Sequence, residues 1–170
     1  MSPVTAFCAA EKWPPLKCCC QNPQYAAEML SNIGACNSEI SAVSLYFYNS
    51  IVLTDTNREF SEIFHKIGIV EMHHLEIFAQ LARMLGADPR LWTVTNNRSC
   101  YWTPSCNNYP TQIKYLLENS LRGEQDAILK YRRQTCAIQD SYIVAILNRI
   151  ILDEQIHVEI LRKMLAEISA

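Results

Sequence analysis

Two stretches read almost alike: Glu71-Met72-His73-His74-Leu75-Glu76-Ile77 and Glu154-Gln155-Ile156-His157-Val158-Glu159-Ile160. Both follow Glu-x-x-His-x-Glu-Ile. On a helix, residues three apart lie on one face, so each Glu and its His point the same way. A second matched pattern precedes each stretch. Glu39, Ala42 and Tyr46 are repeated by Glu124, Ala127 and Tyr131, both as Glu-x-x-Ala-x-x-x-Tyr. The chain therefore reads as a duplicated unit of two helices.

The segments around these motifs carry apolar residues at helical spacing. Helices are predicted over 23–53, 57–85, 111–137 and 140–167. Asn22-Pro23 is a cap followed by proline at the first helical position. Thr56-x-x-Glu59 is a capping-box pattern. Gly86 and then Pro89 stop the second helix. Asp140 caps the fourth.

Short turns near 55 and 139 make two antiparallel hairpins. Glu39 and Glu71 each lie 16 residues from the first turn, and Glu124 and Glu154 each lie 15 from the second. If the hairpins align, four Glu and two His meet at mid-height. The connector 87–110 holds Asn96, Asn97, Asn107, Asn108, Pro104 and Pro110, with Trp92, Tyr101, Trp102 and Tyr109, and has room for a short hairpin. At up to ~3.3 Å per residue it can run the ~45 Å length of such helices. The expected architecture is an all-α four-helix bundle, residues 23–170, its halves joined by a crossover connector. A Pro- and Cys-rich tail, 1–22, precedes it.

Composition agrees. The chain has 170 residues, enough for one domain, with 49% hydrophobic residues to fill a core. Four glycines argue against a turn-rich β fold and against Gly-rich phosphate loops. A net charge of -2 disfavours a nucleic-acid partner. No apolar run approaches a membrane span. Met1 to Pro15 lacks the features of a secretory signal, so a cytoplasmic location with reduced thiols is expected. No Cys-x-x-Cys occurs among the eight cysteines. Cys36 and Cys136 read as buried apolar thiols. Cys100 and Cys106, flanking Pro104, could meet. Cys18-Cys19-Cys20 alternate in direction along an extended tail and do not easily share an ion.

Four carboxylates beside apolar stripes would repel one another and protonate unless cations balance them. Two divalent ions supply the matching charge, and Glu oxygen with His nitrogen suits iron or manganese. The pattern resembles the ferritin-like di-iron and di-manganese carboxylate proteins, a class defined by one Glu from each of two helices and Glu-x-x-His from the other two. The resemblance covers about 23–168. Within that class the chain is most similar to rubrerythrin-type and manganese-catalase-type proteins.

The resemblance implies that Glu39, Glu71, His74, Glu124, Glu154 and His157 ligate two metal ions, with Glu71 and Glu154 as bridges. It also implies that Tyr46 and Tyr131 hydrogen-bond to ligand carboxylates across the site, the other reading being core tyrosines satisfied elsewhere. Asp153, which has no counterpart at Val70, either holds a ligand His by its free ring N–H or is a partly exposed acid. His73 and His65 point away from the ligand face. The chain departs from rubrerythrins in lacking their rubredoxin cysteines and in having Ala127 where they carry a further Glu.

The implied function is a non-haem dinuclear oxidoreductase acting on hydrogen peroxide or oxygen, rubrerythrin-like or manganese-catalase-like, with any electron donor external. The alternatives are iron oxidation and storage, or a coat-type structural protein stiffened by metal without turnover. The apolar surplus on the helices suggests a homodimer.

Overall fold

The computed structural model describes residues 6–95 and 98–169. Residues 1–5, Asn96, Asn97 and Ala170, assigned above to the tail, the connector and the chain's end, lie outside the described residues. Among the described residues there are five α-helices: α1 (Pro23–Gly34), α2 (Glu39–Val52), α3 (Arg58–Met84), α4 (Ile113–Ala137) and α5 (Ser141–Ile168). Between α3 and α4 the connector forms an antiparallel hairpin, β1 (Trp92–Thr95) with β2 (Arg98–Tyr101), then a 3-10 turn over Pro104–Cys106. The α1–α2 pair runs along α3, and α4 runs along α5. The expected four-helix bundle is thus formed, its first helix in two pieces.

The break in that first helix corrects the reading of one helix over 23–53. Ala35 and Ser38 are extended. Gly34 lies so close to the connector that a Cβ there would sit 2.2 Å from Trp92 N. Lys130 Nζ donates to Ser31 O (2.9 Å) in the last turn of α1 and to Asn37 O (2.7 Å) inside the break. Cys36, inside the break, is disulfide-bonded to Cys106, with Cα atoms 4.8 Å apart. Cys36 is therefore not a free buried thiol, Cys106 does not pair with Cys100, and reduced thiols do not extend to this pair. Cys100 and Cys136 are free and exposed.

The starts of α1, α3 and α5 carry side-chain caps. The Asn22 side chain accepts from Gln24 N and Tyr25 N, and Asp140 Oδ1 from Tyr142 N and Ile143 N. The cap of α3 is Asn57, accepting from Phe60 N at 3.0 Å, one residue beyond the expected Thr56. Gly86 ends α3 with φ +96, the left-handed conformation that glycine adopts without penalty.

Two apolar clusters fill the bundle. One joins the first turns of α3 (Phe60, Phe64) and of α4 (Leu116, Leu117) with the last turns of α5 (Leu161, Met164). The other joins the last turns of α3 (Phe78, Leu81) and α4 (Tyr131) with the first turns of α5 (Ile143, Leu147). The starts of α3 and α4 thus share one end, so these helices are parallel and the connector crosses the bundle. Between the clusters, at mid-height, lies a buried band of acids and imidazoles.

Candidate metal centre

Each of the four long bundle elements contributes to that band. Glu39 comes from the first turn of α2, Glu71 and His74 from α3, Glu124 from α4, and Glu154 and His157 from α5. The four carboxylates are at most 3% exposed and both imidazoles are fully buried. Donor atoms gather into two sets. Glu39, Glu71, His74 and Glu154 form one, and Glu71, Glu124, Glu154 and His157 the other, the atoms of each lying within 4.8 Å of one another. Glu71 and Glu154 belong to both. The structure brings all six sequence-predicted residues together, with Glu71 and Glu154 common to both sets.

The distances make the duplication visible. His74 Nδ1 lies 3.3 Å from Glu71 Oε2, 3.3 Å from Glu154 Oε1 and 4.0 Å from Glu39 Oε2. His157 Nδ1 lies 2.8 Å from Glu71 Oε1, 3.1 Å from Glu154 Oε2 and 3.7 Å from Glu124 Oε1. Tyr46 donates its hydroxyl to Glu124, and Tyr131 to Glu39. Each tyrosine reaches across to the other repeat, and both are almost fully buried.

The outward ring nitrogens are also held. His74 Nε2 lies 3.1 Å from Asp153 Oδ2, and Asp153 Oδ1 accepts from Arg149 Nη1 and Ala9 N, each at 2.6 Å. Asp153 is fully buried, so the reading of an exposed acid is set aside. His157 Nε2 lies 2.9 Å from the carbonyl oxygen of Phe7. A carbonyl can only accept, so this nitrogen carries a proton. In the neutral ring Nδ1 then presents a lone pair to three carboxylates.

Electrostatics shows what this arrangement demands. Burial, then the charges of Glu71 and Glu154, push the Glu124 carboxyl up to about 8. Burial and the same kind of repulsion raise Glu39. Burial lowers both imidazoles, but the surrounding carboxylates more than reverse it and raise them well above the ordinary histidine range. Glu71 is held below the usual carboxylate range because His157 and His74 outweigh the effect of burial. Glu71 Oε1 is buried without a hydrogen bond; its approach to His157 Nδ1 is close but not aligned for one. The orphaned Glu71 oxygen and four buried acids gathered around two inward-facing imidazole nitrogens fit two divalent ions, which would take the place of the protons these groups otherwise hold.

On the α2–α4 side the band borders a cavity of about 240 Å³. Glu39, Glu71, Glu124 and Glu154 line it together with Ser38, Ser41, Asn107 and Asn119, and the exposed Arg122 and Asp126 also border it. Ala127 also faces it. The Cys36–Cys106 disulfide borders the same cavity.

His73 and His65 are exposed and lie off the ligand face, with His73 edge-on to Trp13 at 5.1 Å. Sequence reasoning missed Arg149 and the N-terminal segment. Arg149 left a signal, a charge four residues before Asp153 on an otherwise apolar face. A backbone carbonyl such as that of Phe7 leaves none.

A four-helix bundle with two carboxylate–imidazole donor sets at mid-height defines the ferritin-like dinuclear-metal proteins. Residues 30–165 match the family model described as rubrerythrin, and the chain belongs to that family. It is also similar to a probable manganese catalase of Clostridium acetobutylicum, 23% identical over 167 residues, covering 88% of this chain and 73% of that protein. In fold it is similar to a manganese catalase from Anabaena, with TM-score 0.84, 20% identity, and 97% of this chain and 81% of that one covered. A Mycobacterium tuberculosis bacterioferritin follows with TM-score 0.71, 19% identity, and 88% and 89% covered.

Proposed function

We propose that this protein is a dinuclear manganese catalase, converting two hydrogen peroxide molecules into two water molecules and one oxygen molecule. The observation that carries the reading is the pair of near-equivalent donor sets sharing Glu71 and Glu154, open on one side to a small cavity. Similarity to the Clostridium acetobutylicum protein supports manganese and peroxide over the other chemistries.

Glu39, Glu71, His74, Glu124, Glu154 and His157 are the ligands in this reading. Bound there, the ion pair supplies two-electron exchange with peroxide. The chain's own part is positional. Tyr131 fixes Oε1 of Glu39 and leaves Oε2 facing His74, while Tyr46 holds Oε1 of Glu124, the oxygen that also faces His157. Asp153 fixes the His74 ring. The flanking apolar clusters confine water to the cavity side. The cavity admits a molecule of peroxide's size and is lined by hydrogen-bonding groups that can seat it. Each peroxide serves in turn as reductant and oxidant, so no electron donor is required.

Oxygen evolution tests this. Manganese-loaded protein given peroxide and no reductant is expected to release one oxygen molecule per two peroxides consumed. Peroxide consumption only in the presence of a reductant, without oxygen release, would contradict it and favour a peroxidase.

A further inference from the structure

The two halves of the repeat hold their histidines differently. Asp153, just before Glu154, anchors Nε2 of His74 in the opposite half. The duplication puts residue 70, just before Glu71, in the corresponding position for His157. That residue is Val70, which has no group to offer. The acceptor at His157 Nε2 is instead the Phe7 carbonyl, from a segment outside the residues matched to the family model.

This segment is fastened at several points. Arg149, 4% exposed, spends its guanidinium on it: Nη2 donates to Ala9 O (2.7 Å) and Nε to Glu11 O (2.8 Å), while Nη1 holds Asp153. Trp13 lies over the guanidinium, 4.5 Å from ring centre to Cζ. The Phe7 side chain packs against the apolar cluster around Phe64, with Lys66 Nζ 5.2 Å from its ring.

We propose that residues 7–13 form a clasp that completes the outer shell of the metal centre, the Phe7 carbonyl replacing the carboxylate that the repeat lacks at Val70 and the Ala9 amide bracing Asp153. The inference rests on the metal-binding part of the proposed function. Partners that orient a ligand histidine typically change metal affinity about 10- to 100-fold. A neutral carbonyl supports His157 less strongly than a carboxylate supports His74, so the two ions bind unequally and the His157 position fills second.

The full-length protein, stripped of metal, is titrated with Mn²⁺, with free ion followed by electron paramagnetic resonance. The wild type is expected to take two ions in unequal steps. Ala9→Pro with Trp13→Ala, which unfastens the clasp, is expected to weaken the second step about 10- to 100-fold. Adding Val70→Asp to that variant is expected to restore it, a rescue that general destabilisation would not give. An unfastened chain binding both ions like the wild type, or a folded one that Val70→Asp fails to rescue, overturns the proposal.

A measurement on the wild type needs no variant. In zinc-loaded, isotope-labelled protein, a scalar coupling is expected between His157 Nε2 and the Phe7 carbonyl carbon, and its absence also overturns the proposal. A wild type that takes up neither manganese nor zinc defeats the proposed function as well. Two ions bound regardless of the clasp defeat this inference alone.

Discussion

Glu71 and Glu154 belong to both donor sets, whereas every other candidate ligand belongs to one. Without cations these buried groups compete for protons. Glu124 is raised to about 8, and both imidazoles are raised as well. Groups with raised values bind protons more tightly in the folded chain, so the stability they contribute is present at low pH and lost as pH rises. Glu71 is lowered and acts the other way, but only below the ordinary carboxylate range. The metal-free protein is therefore expected to melt at progressively lower temperature from pH 6 to pH 8.5, and Mn²⁺ is expected to remove the trend. A flat profile in thermal unfolding without metal would contradict this. Replacing Asp153 with Ala frees the His74 ring and leaves Arg149 buried without its counter-charge. Metal affinity is expected to fall about 10- to 100-fold, measured by competition with a chelator.

At the scale of elements, the division of the first bundle helix decides where Glu39 sits. Gly34 allows the connector to press against α1, and Lys130 and the Cys36–Cys106 bridge hold the break. Gly34→Ala would force backbone apart at Trp92. Its expected cost is about 1–3 kcal/mol, read from urea unfolding, and a neutral result would contradict the account of the break. The helical spacing and the caps at Asn22 and Asp140 made most element ends legible. The break was not legible, because Gly34 to Ser38 holds only weak stop signals and what opens it is tertiary: a connector backbone, a lysine from α4 and a disulfide partner 70 residues away. The capping box misplaced the start of α3 by one residue because Asn57, itself a good cap, competes with Thr56.

Over the whole molecule, duplication explains both the fold and the six-residue band. Internal repetition, equal distances from the two turns and matched tyrosines made the band readable from sequence. These features depend on side-chain type and spacing, which a sequence records directly. The proposed clasp was not readable, since its hydrogen bonds to His157, Asp153 and Arg149 run through backbone atoms of an aperiodic segment. Two apolar clusters hold the bundle on either side of the buried acids, so the scaffold can hold the band together at an electrostatic cost that bound cations would relieve. The most direct test of the account is metal content per chain, by elemental analysis of protein from cells supplied with both iron and manganese, for the wild type and a Glu71→Ala/Glu154→Ala double mutant. About two manganese ions per wild-type chain, lost in a double mutant that remains helical, is the expected result. A wild-type chain that binds no metal after reconstitution, or a double mutant that retains both ions, would contradict it.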